Sequence, residues 1–444
     1  MRLVSAEVIG MLGQYTHRLT FSGDESPFKI IYGPNGVGKT KFLELISAMV
    51  GLDPYAVAGI PFTEATLSFE DGTIFRVVRV GPENPAERVD VIFYLDSPQV
   101  PTTMNWAHSN LDKSGRSDFE RMLERETMWR EIRPGWWQDQ SDEEIIELSE
   151  LRRRFPPSRS RHIAQDAPEE LRALTTTHRA HLIETQRLNN YHNSSPVRAP
   201  RDRAASRRST VSNFAVALRS ELQRVQAQNS RASQQLERTF PRRVLEEKAQ
   251  IPKNVVDIRT KYDEQNEFRK RLGSIGLIAN DMDFPLPDRD LQNWETSVLW
   301  IYLTDTDKKL ITFEPILQKI ETFTSVINRR FLGKIIRVSA EEGLIIESLR
   351  DGSRLDADAL SSGEQHELIL MYDLTFNVRG GSIVMIDEPE ISLHVSWQLE
   401  FLRDVSEIAK LSDFQFIVAT HSPQIIADNW DEAVAFGPEG VDFA

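Results

Sequence analysis

The chain has 444 residues, room for two or three domains, and its 40% apolar content is enough to build real cores. It contains no cysteine, which excludes disulfides, cysteine nucleophiles and thiolate zinc sites. Its net charge of −14 argues against indiscriminate binding to DNA, and no apolar run approaches the ~20 residues that a membrane helix needs.

The N-terminal segment MRLVSAEVIGML lacks the charged and apolar regions of a signal peptide and predicts a first strand. FKIIYG then predicts a buried strand, and KFLELISAMVG an amphipathic helix. Between them GPNGVGKT, from Gly33 to Thr40, fits G-x-x-x-x-G-K-[ST]. In such a loop the backbone N–H groups wrap phosphates, and the following helix points the positive end of its dipole at them. Gly33, Pro34, Asn35, Gly36, Val37, Gly38, Lys39 and Thr40 are therefore candidate nucleotide-binding residues. Lys39 is expected to reach the β- and γ-phosphates and Thr40 to ligate Mg²⁺.

Four of the eight Trp, at 106, 129, 136 and 137, fall in the next stretch. Clustered Trp can anchor a partner, but a small local core is the preferred reading. From Arg152 to Arg208 there are thirteen Arg, no Lys and five acids, a local charge of about +8 in an otherwise acidic chain. Arginine without lysine suits bidentate recognition of phosphate or carboxylate, so this block is a candidate surface for DNA or an acidic protein. A solvated linker is the alternative, since NNYHNSSPVRAPRDRAASRRST is compositionally suited to one. Inside the block, HLIET predicts a strand. Val211, Phe214, Leu218, Leu222, Val225, Ala232 and Leu236 then approximate a helical spacing, which Pro241 and Pro252 are expected to interrupt. RTKYDEQNEFRKRLGSIG returns as a charged helix, and a helix-rich run follows from Leu291 to Phe331.

KIIRVSAEEGLIIESLRDGSRLDADAL alternates like paired strands, with a turn expected at Asp351-Gly352. In LSSGEQHELIL, Ser362 and Gly363 open a helix whose free N–H groups can meet an anion. SIVMIDEPE lies roughly 350 residues beyond the glycine-rich loop and predicts a fully buried parallel strand ending in Asp387-Glu388. Asp387 is the candidate acid for Mg²⁺, and Glu388 the candidate general base that polarises the attacking water. FQFIVAT predicts one more strand, leading to His421 in ATHSP.

The order of loop, LSSGEQ segment, Asp-Glu strand and histidine resembles that of ABC-type ATPases. The resemblance covers about the first hundred and the last hundred and twenty residues; DEPEISLH and the long interval point to the SMC/RecF/OLD branch. It implies an α/β fold: an ABC-type P-loop ATPase head with two lobes, an insertion in lobe I and a short helical arm, far too short for an SMC coiled coil. The implied segments are lobe I with the P-loop (1–100), a Trp/Arg-rich insertion (101–175), a lobe I strand (176–190), a basic linker (191–210), the arm (211–325) and lobe II (326–444). In this family the signature residues, here Ser361, Ser362, Gly363 and Glu364, contact the nucleotide of a second subunit, and His421 senses its γ-phosphate. A glutamine also joins Mg²⁺ and water to the arm; Gln186 is the candidate, with Gln99 as the alternative. ATP and Mg²⁺ are the implied cofactors, and at least a homodimer is implied, with a hexamer built as a trimer of dimers left open.

Within that branch, DEPEISLH and ETQRL resemble the ATPase components of bacterial anti-phage systems, the AriA family of PARIS first and the PtuA family of Septu second. Only 23 residues follow His421, so a nuclease is expected on another chain, of TOPRIM or HNH type. The resemblance implies a cytoplasmic ATP-dependent scaffold that restrains this nuclease until a phage-encoded trigger binds, such as a DNA-mimic protein, with abortive infection through attack on tRNA as the outcome. A RecF-like DNA repair ATPase is the alternative, and a toxin–antitoxin ATPase a weaker third.

Overall fold

The computed structural model describes residues 2–21, 26–82, 89–98, 103–109, 120, 123–124, 127–133, 135–140, 144–148, 151, 167–184, 210–246, 255–279, 285–391 and 393–438. It divides into two compact units, Met1–Ala199 with Asn377–Ala444, and Pro200–Phe376.

The first unit holds an antiparallel sheet of β1 (Leu3–Met11), β2 (Tyr15–Thr20), β4 (Glu64–Phe69), β5 (Ile74–Val80), β6 (Asp90–Asp96) and β7 (Met104–Ser109), in the order β2-β1-β4-β5-β6-β7. Alternation sets its inner face: Ala65, Leu67 and Phe69 of β4, Phe75 and Val77 of β5, and Val91, Phe93 and Leu95 of β6 are all buried. Trp106 on β7 packs against Phe93 with ring centroids 5.3 Å apart, so it belongs to this core. A separate three-stranded sheet joins β8 (Trp129–Arg133), β9 (Trp136–Asp139) and β10 (Ile145–Glu147). There Trp129 and Trp137 form a small core with Leu123 and Leu151, in line with the local-core reading. Trp136 stays on the surface beneath the Arg133 guanidinium, which sits 4.4 Å from the ring centroid.

The sheet that positions the site is fully parallel: β3 (Phe28–Tyr32), β11 (Arg179–Glu184), β14 (Ser382–Asp387), β15 (Gln415–Thr420) and β16 (Ala433–Ala435), ordered β11-β14-β15-β3-β16. It carries the α/β class expected from the sequence. Every residue of β15 is buried, as is β14 from Ser382 to Ile386, which explains why these strands read as continuous apolar runs. Helix α1 (Lys39–Val50) packs Phe42, Leu43, Ile46 and Met49 into the core that Ile31, Ile383, Met385 and Ile417 share. Register aligns Glu184 with Asp387, Asp387 with Ala419, and Thr420 with Tyr32. The residues that follow β14, β15 and β3 therefore emerge at one carboxyl edge, where parallel sheets place their ligands.

The second unit is built on helices α2 (Thr210–Glu246), α3 (Val255–Ser274), α4 (Asn293–Leu310) and α5 (Glu314–Arg330), with a hairpin of β12 (Lys334–Ser339) and β13 (Gly343–Ser348) and helix α6 (Ser362–Tyr372). Val211, Leu218, Leu222 and Val225 are buried along α2, and Phe214 stacks on Tyr372 at 4.0 Å. Contrary to expectation, α2 does not stop at Pro241. Proline removes one helical N–H. Arg243 holds this turn by donating to the Leu236 carbonyl at 3.0 Å and forking onto the Asp305 carboxylate of α4. The hairpin also corrects the sequence reading: β12 and β13 reverse at 340–342, just before Gly343 with its φ of +81°, and Asp351-Gly352 makes a second turn that brings Arg354 back to Glu347. Asp-Gly is the stronger dipeptide signal, and it masked the first turn.

At the root of α5 the side chains of Arg330 and Glu367 form a bond of 2.5 Å, with 1% and 0% of their surfaces exposed. Breaking such a pair leaves a buried charge behind. Arg330→Met is expected to cost about 3–5 kcal/mol, read as a lowered urea midpoint, and Arg330→Met with Glu367→Leu to recover most of it. A single variant as stable as the parent would show that the pair is dispensable.

Candidate nucleotide site

The loop between β3 and α1 depends on two glycines. Gly33 has φ +149°, and a Cβ there would lie 2.1 Å from the carbonyl oxygen of Phe436. Gly38, the N-cap of α1, has φ +94°, and a Cβ would press to 2.8 Å from Met11 Cγ. No side chain caps α1. Its first N–H groups are thus free to meet an anion. Pro34, Asn35 and Gly36 lie exposed on the crest, while Val37, Gly38 and Lys39 are buried.

Lys39 Nζ spends its three donors on the Gly33 carbonyl at 2.9 Å, the Pro34 carbonyl at 3.0 Å and His421 Nε2 at 2.7 Å. An ammonium can only donate, so Nε2 of His421 accepts and its ring proton sits on Nδ1. Burial lowers the pKa of Lys39, and the charges of Glu388, Asp387 and Glu390 oppose that shift. Thr40 Oγ1 donates to Asp387 Oδ2 at 2.9 Å and lies 3.2 Å from Oδ1. Glu388 has φ +48°, a left-handed conformation rare for a non-glycine residue. Its N–H donates to the Ala419 carbonyl at 2.8 Å, which locks the turn after β14 onto β15. His421 Nε2 lies 3.6 Å from Glu388 Oε1, a contact that becomes an ion pair only if the ring is protonated.

The structure therefore gathers Lys39, Thr40, Asp387, Glu388 and His421 at one sheet edge. Among the described residues no group of three or more His, Cys, Asp or Glu side chains is arranged to hold a metal ion. A hydroxyl and a carboxylate side by side still suit Mg²⁺, a hard cation that takes one or two protein oxygens and completes its shell with phosphate and water.

The LSSGEQ residues lie in the second unit. Ser361 caps α6, its Oγ accepting from the Glu364 N–H at 3.3 Å while Glu364 Oε2 accepts from the Ser361 N–H at 2.7 Å. Glu364 Oε2 also lies 2.7 Å from Lys334 Nζ. Its carboxylate is thus committed within the unit, and the N–H groups of Ser362 and Gly363 remain as the donors of the helix start. Gln99, Gln186 and Arg201, Arg203, Arg207 and Arg208 lie outside the described residues.

One supporting residue escaped the sequence reading. His17 on β2 sits under the loop, with Nε2 2.7 Å from the Val37 carbonyl and its ring stacked 4.0 Å from that of Phe436. Burial lowers its pKa, which favours a neutral ring. Nothing in THRLTF marks that contact.

The family model for the AAA ATPase domain, AAA_15, matches residues 17–426. The Retron Vc95 probable ATPase of Vibrio cholerae serotype O1 biovar El Tor is 26% identical over 146 residues, which are 30% of this chain and 27% of that protein. The chain thus spans about a quarter of the length of that curated relative. Among solved structures, the Smc head domain of Pyrococcus furiosus bound to the C-terminal domain of ScpA aligns over 98% of this chain and 92% of its own, at 12% identity and a TM-score of 0.35. The SMC head domain of Thermotoga maritima aligns over 96% and 93%, at 11% identity and a TM-score of 0.34. Likenesses that loose carry no argument, and the α/β class follows from the strand order itself. No helix among the described residues is long and apolar enough to cross a membrane. With the family model spanning most of its length, the chain belongs to the AAA ATPase domain family.

Proposed function

We propose that this chain is an ABC-type ATPase of the SMC/RecF/OLD branch that serves as an ATP-dependent scaffold and sensor in bacterial anti-phage defence. In this reading it restrains a separate effector nuclease of TOPRIM type and releases it when a phage-encoded trigger, such as a DNA-mimic protein, is sensed. The observation that carries the ATPase half is the meeting of Lys39, Thr40-Asp387, Glu388 and His421 at one carboxyl edge. A retron ATPase among its relatives supports the defence half.

The residues take the following roles. The loop N–H groups and Lys39 bind the phosphates. Thr40 and Asp387 hold Mg²⁺, which when bound offsets the phosphate charge. Glu388 takes the proton of the attacking water, and His421 reads the γ-phosphate. Ser362 and Gly363 act on the nucleotide of a second copy, which makes a homodimer the smallest working unit. Gln186 completes the shell, and the Arg-rich segment meets the acidic trigger.

Purification of the chain with its native gene neighbours, in ATP and Mg²⁺, tests this. A large complex containing a nuclease-like protein is expected. A bare dimer that retains DNA would overturn the scaffold reading in favour of a RecF-like repair ATPase.

A further inference from the structure

Glu390 is the third acid of DEPE, and none of the roles above uses it. It lies in the 3-10 turn Pro389–Ile391 that follows β14. Its Oε1 accepts the backbone N–H of His421 at 2.6 Å. That bond spans two strands: His421 is the first residue past β15, and Glu390 the third past β14. A charge-assisted bond of this length is among the stronger kinds in proteins. A second contact runs beside it. Gln398, 8% exposed, accepts from Ser422 Oγ at 2.7 Å through Oε1 and directs its Nε2 at the carbonyls of Leu393 and Glu390, at 3.3 and 3.4 Å. One carboxylate and one carboxamide thus lash the turn after β14 to the 421–422 step after β15.

The consequence concerns His421, whose ring meets Lys39 at 2.7 Å and Glu388 at 3.6 Å. A side chain is aimed by its own backbone, and beyond residue 420 no strand pairing aims this one. We infer that Glu390 is a positioning residue for hydrolysis: through the main chain of His421 it holds the imidazole over the reacting phosphate, and it contributes little to nucleotide affinity. This rests on the reading of His421 as the γ-phosphate sensor.

The test compares His421→Ala, Glu390→Ala, Glu390→Gln and the double variant His421→Ala/Glu390→Ala in the full chain, with ATP affinity, kcat and melting temperature measured for each. Misplacing a catalytic group by about 1 Å costs on the order of 10²-fold, so Glu390→Ala is expected to lower kcat by about that factor. Its ATP Kd should stay within about threefold, a contact-level change. The double variant should be no slower than His421→Ala alone, since residues acting through one another are not additive. Glu390→Gln keeps a carbonyl oxygen for the N–H and is expected to restore kcat to within about threefold. If Glu390→Ala does not fold, Glu390→Asp, one methylene shorter, is expected to fold and still to lose kcat. A slow His421→Ala beside a wild-type Glu390→Ala would overturn the positioning role and leave the sensor reading intact. A wild-type rate in His421→Ala would overturn the sensor reading itself. Additive losses in the double variant, or equal losses of affinity and kcat in Glu390→Ala, would make Glu390 an independent or merely structural residue.

Discussion

Glu388→Gln is expected to leave ATP affinity within about threefold of the parent and to slow hydrolysis by about 10²- to 10⁴-fold, the range that a positioned general base contributes. The substitution is nearly isosteric and preserves the main-chain features that hold the residue: the left-handed φ of +48° and the N–H bond to the Ala419 carbonyl at 2.8 Å. What it removes is the proton acceptor alone. An observed backbone outlier at the end of a buried strand is a common mark of a functional site, because the surrounding ladder must over-determine it. Here that ladder is β14 paired with β15, so the strain is supported from below and the carboxylate is set at the sheet edge. Single-turnover hydrolysis and equilibrium binding of ATP separate the two effects. Hydrolysis at the parental rate would exclude Glu388 as the base.

The second large effect is expected at Lys39. Lys39→Ala deletes the donor that meets the Gly33 and Pro34 carbonyls and His421. A charged hydrogen bond is worth about 1.5–3 kcal/mol, so the loss of even one bond to phosphate lowers ATP affinity by about 10- to 10²-fold. Calorimetric titration with ATP measures this. Any assembly stabilised by nucleotide should disappear with the affinity, because a ligand stabilises only what it binds. Unchanged affinity would remove the assignment of Gly33 to Thr40 as the phosphate loop. Lys39 also differs from a surface lysine. Burial pushes its pKa down while the carboxylates of Glu388, Asp387 and Glu390 push it up, so its charge is set against the acids of DEPE at this edge.

Much of the fold and of the site was legible in the chain, and for local reasons. Gly33 and Gly38 announce a loop that no other residue could follow, because each has a positive φ and a neighbour where a Cβ would go. SIVMI and FQFIVAT announce buried parallel strands, because a strand covered on both faces has no polar side to show. Asp387-Glu388 was recognisable because chemistry at a strand end needs those side chains next to the apolar run that carries them. Where the reading erred, two local signals competed: Pro241 reads as a helix stop until Arg243 and Asp305 are seen to hold its turn, and Asp351-Gly352 outshone the turn at 340–342.

The tertiary structure alone decided which of these residues touch. Lys39 and His421 are 382 positions apart and 2.7 Å distant, Thr40 and Asp387 are 347 positions apart, and His17 reaches the loop from a different sheet. Glu390 belongs to DEPE, but nothing in that motif names its partner, and only the register of β14 beside β15 brings it to the His421 N–H. By itself the sequence determined the elements that carry the site, the glycines and the chemical groups, because periodicity and backbone freedom are properties of neighbouring residues. The pairing of those groups required the parallel sheet, because register is set by packing across strands that are separate in the chain, β3 lying hundreds of residues from β14 and β15.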